Sequence, residues 1–361
     1  MFALNPGMIY WAQGVLFLDV VLVPLVVFLS IGHEEYLLTA VFGSLFAGLA
    51  DPGGRFGYRA SHLGLFSLIG AGVTALAFGV SGSGWGLLTV VAFAVTLLAG
   101  LAVVFGVHRY VAGTLLNVWF IIGLGLGFSL DQQPNVTSHI WAQVVSWLGG
   151  SALWIAVTFA GWLMLGREKR PQPFPAMPGD TTGRKLTRPV VLFATVRAVV
   201  IGGAVAIAFG FDLSHGYWLP IAALAAMQTS LAQTTLVAVQ RLSGALIGAG
   251  AAALLLLIPS SEQGLHRVAV QHALEIVALV LLMHGIAVRF WNYAFYSAAV
   301  AAGVLILLDL PRSSNNSAVG YRVLWTVCGA GLSVLVMAFA ALLGRRRPGS
   351  AGPRTGGGSR G

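Results

Sequence analysis

Twelve apolar stretches, divided by clusters of charge or by Gly/Pro/Ser turns, restrict what this chain can fold into. They lie near 10–31, 36–50, 61–80, 86–106, 111–130 and 141–165, then 189–210, 217–231, 238–258, 266–288, 292–308 and 318–344. A helix needs about 20 apolar residues to cross the hydrocarbon of a bilayer. No water-soluble core of a 361-residue chain uses so many runs of that kind. Hydrophobic residues make up 57% and charged residues 9%, and the mean hydropathy is +0.86. The expected fold is therefore all-α, a polytopic membrane protein of about 12 transmembrane helices. Two stretches, 36–50 and 217–231, hold only about fifteen good residues, below the spanning length. They occupy the same place in each half of the chain. Short or broken helices are expected at a transport site, and a tilted or partly re-entrant helix fits the same pattern.

The two halves echo each other. Leu68-Ile69-Gly70-Ala71-Gly72 recurs letter for letter as Leu246-Ile247-Gly248-Ala249-Gly250, and each copy follows a Tyr-led apolar segment (Tyr36 onward, Tyr217 onward) and a short polar turn. This order predicts two six-helix repeats. A weaker echo places Arg241 seven residues before Gly248 and Arg322 seven before Gly329, where the first half has Leu63 before Gly70 and Gln143 before Gly150. Cationic residues of a central pathway are thus expected mainly from the second half. Glycines within the stretches mark close helix–helix approach first, and a backbone-lined ion path as the sharper alternative.

Lys and Arg set the orientation. With a cytoplasmic N-terminus, sixteen of the 20 basic residues fall inside, Arg197 lies within a span, and Arg267, Arg312 and Arg322 fall outside. This asymmetry predicts cytoplasmic termini and, with an even count of spans per half, parallel rather than inverted repeats. The expected organisation is a first membrane module at 1–165, a basic Pro-rich cytoplasmic linker at 166–188, a second module at 189–344 and a disordered basic tail at 345–361. The formal charge of +9 reports this topology, scattered over loops and tail, so no nucleic-acid partner is expected. The N-terminus lacks a basic n-region and a small-residue cleavage site, and is expected to stay as a signal-anchor helix. Cys328 alone forms no internal disulfide and reads as a small hydrophobe.

Enzymatic signatures are missing. There is no GxxxxGK[ST] loop for ATP, no HExxH or paired Cys/His spacing for a metal, and no GxSxG elbow. No catalytic residue, metal or cofactor is expected.

Residues 215–250 read HGYWLPIAALAAMQTSLAQTTLVAVQRLSGALIGAG. His215-Gly216-Tyr217-Trp218-Leu219-Pro220, then Gln228-Thr229-Ser230, then Gln240-Arg241-Leu242 with Gly244 and Gly248, resembles the fusaric acid resistance (FUSC-like, aromatic acid exporter) membrane domain. The turn Asp51-Pro52-Gly53-Gly54 is similar to the same family's first half. The family often carries a second Arg shortly before the one matched by Arg241, and Val237 occupies that region here. The resemblance implies a multi-pass protein of the bacterial inner membrane that exports aromatic or other organic acids. It also implies a distant likeness to plant malate-type anion channels, built as pairs of six-helix units.

Three ionisable residues sit well inside apolar runs: Asp19, Arg197 and Glu275. A charge at a helix centre costs about 2.5–3.5 kcal/mol on insertion scales, so each should be paired or face water. Asp19 and Arg197 lie at similar depth in the first helix of each half, so a charge pair between them is expected, serving packing or gating. Glu275 has His272 one turn away, an arrangement suited to a proton carrier or to a capped structural carboxyl. The candidate anion-binding residues are Arg197, Arg241, Arg322, Gln228, Tyr217 and Trp218. For the two aromatic residues an interfacial belt is the preferred reading. The proton-coupling or gating candidates are Asp19, Glu275 and His272. Together these predict a secondary transporter exporting small organic anions, working in the lipid bilayer as a fused pseudo-dimeric monomer or as a homo-oligomer. An uncoupled anion channel-like pore is the alternative, and a non-transporting scaffold or accessory subunit a further one.

Overall fold

The computed structural model describes residues 11–53, 56–131, 138–164, 185–227, 264–288, 291–309 and 317–345, together with part of 239–255. Among them there is helix and no strand. In hydrocarbon every peptide N–H and C=O must find a partner within its own segment, and a helix alone does this without neighbours. The elements are α1 (Trp11–Ile31), α2 (Leu37–Ala50), α3 (Phe56–Val80), α4 (Trp85–Leu101), α5 (Val107–Asp131), α6 (Ile140–Met164), α7 (Arg188–Gly210) and α8 (Trp218–Ala226). Helical residues within 239–255 form α9, and α10 (Gly264–Val288), α11 (Tyr293–Asp309) and α12 (Ser317–Arg345) follow. Eight of the described helices are long and apolar enough to cross a membrane: α1, α3 to α7, α10 and α12. The protein is a polytopic helical membrane protein.

Several boundaries differ from the hydropathy reading. Helix α3 starts at Phe56 rather than near 61, and α5 at Val107 rather than near 111. Both starts carry basic or aromatic residues, Tyr58-Arg59 and His108-Arg109-Tyr110, which a hydropathy threshold discards although they are helical. The two short helices are shorter still. Helix α2 has 14 residues and α8 has nine, about 21 and 14 Å of rise, against roughly 30 Å of hydrocarbon. Helix α2 stops because Asp51 precedes Pro52, which forces an extended backbone (ψ 114°),, and Gly53 then turns the chain with φ 64°,. Helix α8 stops at an extended Met227, so it does not reach the expected 231 as described. Gln228 and Arg241 lie outside the described residues.

Lipid tails are as apolar as leucine, so these helices associate by close packing and hydrogen bonds rather than by a hydrophobic drive. Small residues make the closest seams. On α6, Gly150 is so near α2 that a side chain there would overlap the Ala40 carbonyl. Ser44 Oγ donates to the Gly150 carbonyl at 2.8 Å and Ser151 Oγ to the Gly43 carbonyl at 3.3 Å. Thr39 and Gln143 add a buried side-chain hydrogen bond on the same seam. Helix α12 meets α8 in the same manner: a side chain at Gly329 would overlap the Leu219 carbonyl, and Ser333 Oγ donates to the Ala223 carbonyl at 2.9 Å. Both short helices are consequently buried along almost their whole length.

The first six helices meet the last six along two main seams, α4 against α7 and α1 against α10, with a smaller crossing of α5 and α8. Glycine opens both. Gly100 faces Ala194 and Gly202 faces Phe93 on the first seam, and Gly14 faces Met283 and Ala287 on the second. Within the recurring pentapeptide, Leu68 and Ile69 are exposed and Gly70 is buried against Trp147; Leu246 and Ile247 are exposed and Gly248 is buried against Ala298 and Ala301. The second glycine, Gly72 or Gly250, faces open space in both copies. An aromatic cluster fills the first six helices: Trp119 stacks on Trp147 at 5.0 Å, beside Phe42, Phe46 and Phe66. The Trp119 indole donates to Thr74 Oγ1 at 2.8 Å and the Trp147 indole to the Ser67 carbonyl at 3.2 Å.

Gly150→Val is expected to lower stability by about 1–3 kcal/mol, the cost of overpacking a tight contact. Gly72→Val, on an open face, is expected to leave the melting temperature in detergent nearly unchanged. Equal melting temperatures for the two variants would refute the glycine seam.

Candidate functional site

The group that decides the local electrostatics is Arg197, midway along α7 and only 2% exposed. A guanidinium is a cation with five N–H donors and no acceptor, so it must be met by acceptors. One terminal nitrogen donates to the Tyr110 hydroxyl at 2.8 Å, and the guanidinium lies 5.6 Å from the centre of the same ring,. The other donates to the Leu224 carbonyl at 3.2 Å. Nε is buried without a hydrogen-bond partner. Tyr110 comes from the start of α5 and Leu224 from the last turn of α8. The final carbonyls of a helix lack intrahelical donors and carry the negative end of its dipole. Arg197 therefore caps the truncated α8. Both acceptors are neutral, and among the described residues no carboxylate pairs with the guanidinium.

The expected Asp19–Arg197 pair does not form. Asp19 stands on the exposed face of α1, whereas Arg197 points into the junction of α5, α7 and α8. The physical reason is the packing order: α1 runs along α10 and α7 along α4, so the two helices never face each other.

The other expected residues fall in separate places. On α10, His272 Nδ1 lies 3.2 Å from Glu275 Oε2, so this pair is brought together as its spacing suggests. Trp218 is 7% exposed and Tyr217 packs its ring against Gly125 of α5, where a Cβ would come within 2.7 Å of it. The two rings lie 5.3 Å apart. Tyr217 fills the α5–α8 crossing, and Trp218 is buried within the bundle. The preceding turn holds Asp212 and His215 at φ 48° and 56°, a left-handed conformation costing roughly 1–2 kcal/mol for each non-glycine residue. His215 stacks on Tyr321 at 6.1 Å, and the Trp325 indole donates to the Ser214 carbonyl at 2.9 Å, holding the turn against α12. Arg322 belongs to α12, but its side chain lies outside what is described.

A second polar cluster closes the end of α2. Asp51 has a fully buried side chain, and Arg59 Nε donates to both of its oxygens at 2.6 and 2.7 Å. The Arg59 terminal nitrogen adds a further contact to Oδ2. Asp51 also accepts from the Gly53 amide at 3.0 Å and from the Trp154 indole at 3.1 Å. This charge pair is internally balanced. Neither it nor Tyr110 stood out in the sequence. Arg59 reads there as an orientation signal, and Tyr110 as an ordinary tyrosine; the buried carboxylate eight residues before Arg59 was the available clue.

Residues 198–336 match the model of a family described as fusaric acid resistance protein-like. Over this segment the chain is similar to that family. The match opens one residue after Arg197 and runs through most of α12, so it contains the strained His215 turn, α8 and the His272–Glu275 pair. No curated protein and no solved structure matches the chain.

Replacing Asp51 by Ala strands a part-buried guanidinium, 16% exposed, and is expected to cost about 1.5–3 kcal/mol, the worth of a charged hydrogen bond. The Asp51→Ala, Arg59→Ala double variant should be less destabilised than the sum of the singles. Additive losses in thermal unfolding would show that the pair is not coupled.

Proposed function

We propose that this FUSC-like membrane protein is a secondary transporter that exports small organic anions, aromatic carboxylates among them, across a bacterial inner membrane. The observation that carries the reading is Arg197: a permanent cation buried between α5, α7 and α8, held by two neutral acceptors and no described carboxylate. A buried uncompensated charge attracts an anion strongly, because little water screens it. An arriving carboxylate can take the free Nε and compete with the Leu224 carbonyl. Tyr110 accepts from Arg197 and keeps its own proton to donate. His272 and Glu275, 3.2 Å apart on α10, supply a place for a coupled proton.

The same reading has the chain as two parallel six-helix repeats with both termini cytoplasmic, acting as a fused pseudo-dimer. Three features support it. Exchanging α1 with α7 and α4 with α10 turns one inter-half seam into the other. The α2–α6 and α8–α12 seams both set a glycine against a backbone carbonyl, and the pentapeptide copies expose and bury equivalent residues. On this reading Arg241 and Arg322 are further attracting charges, and Gln228, in the segment after α8, is a polar partner for the anion.

Arg197→Gln is expected to raise the KM for benzoate efflux from proteoliposomes about 10- to 100-fold, the range set by losing a charged hydrogen bond of roughly 1.5–3 kcal/mol. Arg197→Lys should recover part of it. Unchanged transport in a folded Arg197→Gln protein would sink the assignment. Accumulation against a gradient on imposing a pH difference supports coupling, whereas flux that only follows voltage makes the protein an uncoupled pore.

A further inference from the structure

A lateral cavity of about 620 Å³ lies between α1 and α6, and its lining includes neither Arg197 nor its partners Tyr110 and Leu224. Helix α1 leans on α10 and α2 and meets α6 only sparsely, so the cavity is the gap left between them. We propose that this cavity is a lipid site that holds one acyl chain of a bilayer phospholipid.

Its dimensions match one leaflet. On α1 the wall runs from Val23 to Ile31 and on α6 from Trp141 to Leu153, about 12 and 18 Å of helix rise. Half of a roughly 30 Å hydrocarbon core is about 15 Å. The cavity thus begins where the two helices end and finishes near mid-bilayer. Its polarity follows the same axis. His33, Tyr36 and His139 line the end at the helix termini, and the remainder is almost wholly apolar. The Tyr36 hydroxyl accepts from the His139 amide at 3.1 Å, and its own proton stays available to a phosphate or ester oxygen of a headgroup. Among the described residues no Lys or Arg lines the cavity, which disfavours a deeply inserted carboxylate substrate.

The cavity is also continuous with the surface that faces lipid. Val23, Val27, Ile31, Trp141 and Val145 line it and are exposed on the outside of the bundle. Its depth depends on small residues. Gly150 and Ala40 touch backbone to backbone at the floor, and a Cβ on Gly149 would meet nothing within 4 Å. A larger residue at 149 therefore starts from open space on the cavity wall and is expected to fill part of the cavity. This inference does not depend on the role given to Arg197.

Native mass spectrometry of the full-length protein in mild detergent tests it. The wild type is expected to retain one phospholipid per chain, Gly149→Phe to lose it, and Gly72→Phe, at another open position, to keep it. A retained species that extraction identifies as a free fatty acid, or equal phospholipid retention by wild type and Gly149→Phe, overturns the proposal. A second measurement needs no variant. Phosphatidylethanolamine with a diazirine in its acyl chain, reconstituted with wild-type protein, should label residues 141–153 severalfold more than the exposed α12 face around Leu335 and Phe339. Even labelling of the two faces also overturns it.

Discussion

Contact between backbone and backbone is the constraint from which the rest of this structure follows. In lipid there is no apolar drive to bring helices together, so a helix is buried only where its neighbour has no side chain in the way. Gly150 against Ala40 and Gly329 against Leu219 meet that condition. Each seam is locked by a serine hydroxyl donating across it to a carbonyl, Ser44 in one case and Ser333 in the other. The consequence is that α2 and α8, too short to cross a bilayer, are sheathed in protein. Their ends can then lie inside the molecule, because the freed backbone groups meet side chains rather than hydrocarbon.

Each of those two helix ends meets a charged side chain. At the end of α2 the chain supplies Asp51 and, eight residues later, Arg59, and the pair neutralises itself with help from the Trp154 indole and the Gly53 amide. At the end of α8 the cation comes from another helix, α7, and the acceptors are a carbonyl and a phenol. The same architectural position thus carries a balanced charge pair in one place and, in the other, a positive charge with no carboxylate partner among the described residues. A balanced pair contributes to folding and offers little to a passing ion. A lone buried cation is costly to hold, and that cost is reduced whenever an anion binds beside it.

Much of this was legible in the sequence. Run length and composition predict helices in a membrane, and the three-residue spacing of His272 and Glu275 brings them within 3.2 Å. Glycines in the echo were expected at helix contacts: Gly70 and Gly248 are, whereas Gly72 and Gly250 face open space. Periodicity could not show who neighbours whom. The pairing of Asp19 with Arg197 assumed that the first helices of the two halves face each other, yet α1 takes α10 and α7 takes α4. Hydropathy also failed at helix starts, where Arg59 and Tyr110 are helical but not apolar. Trp218 and Tyr217 read as interfacial because tryptophan and tyrosine are enriched there, and only the glycine at position 125 reveals the slot that takes the Tyr217 ring.

Arg197 shows why a site of this kind resists reading from either half alone. Its α7 lies in the second half of the chain, as does the α8 carbonyl it caps, but the hydroxyl that holds it belongs to α5 in the first. The family match begins at residue 198 and so includes the α8 carbonyl while leaving out both the arginine and Tyr110. The α4–α7 seam decides whether these three groups meet at all, since Gly100 and Gly202 set how deeply α7 sinks toward the first six helices. The position of the buried charge is therefore a property of the packing between halves. A change that moves the seam by an ångström would move the cation relative to its phenol, even with all three residues of the site intact.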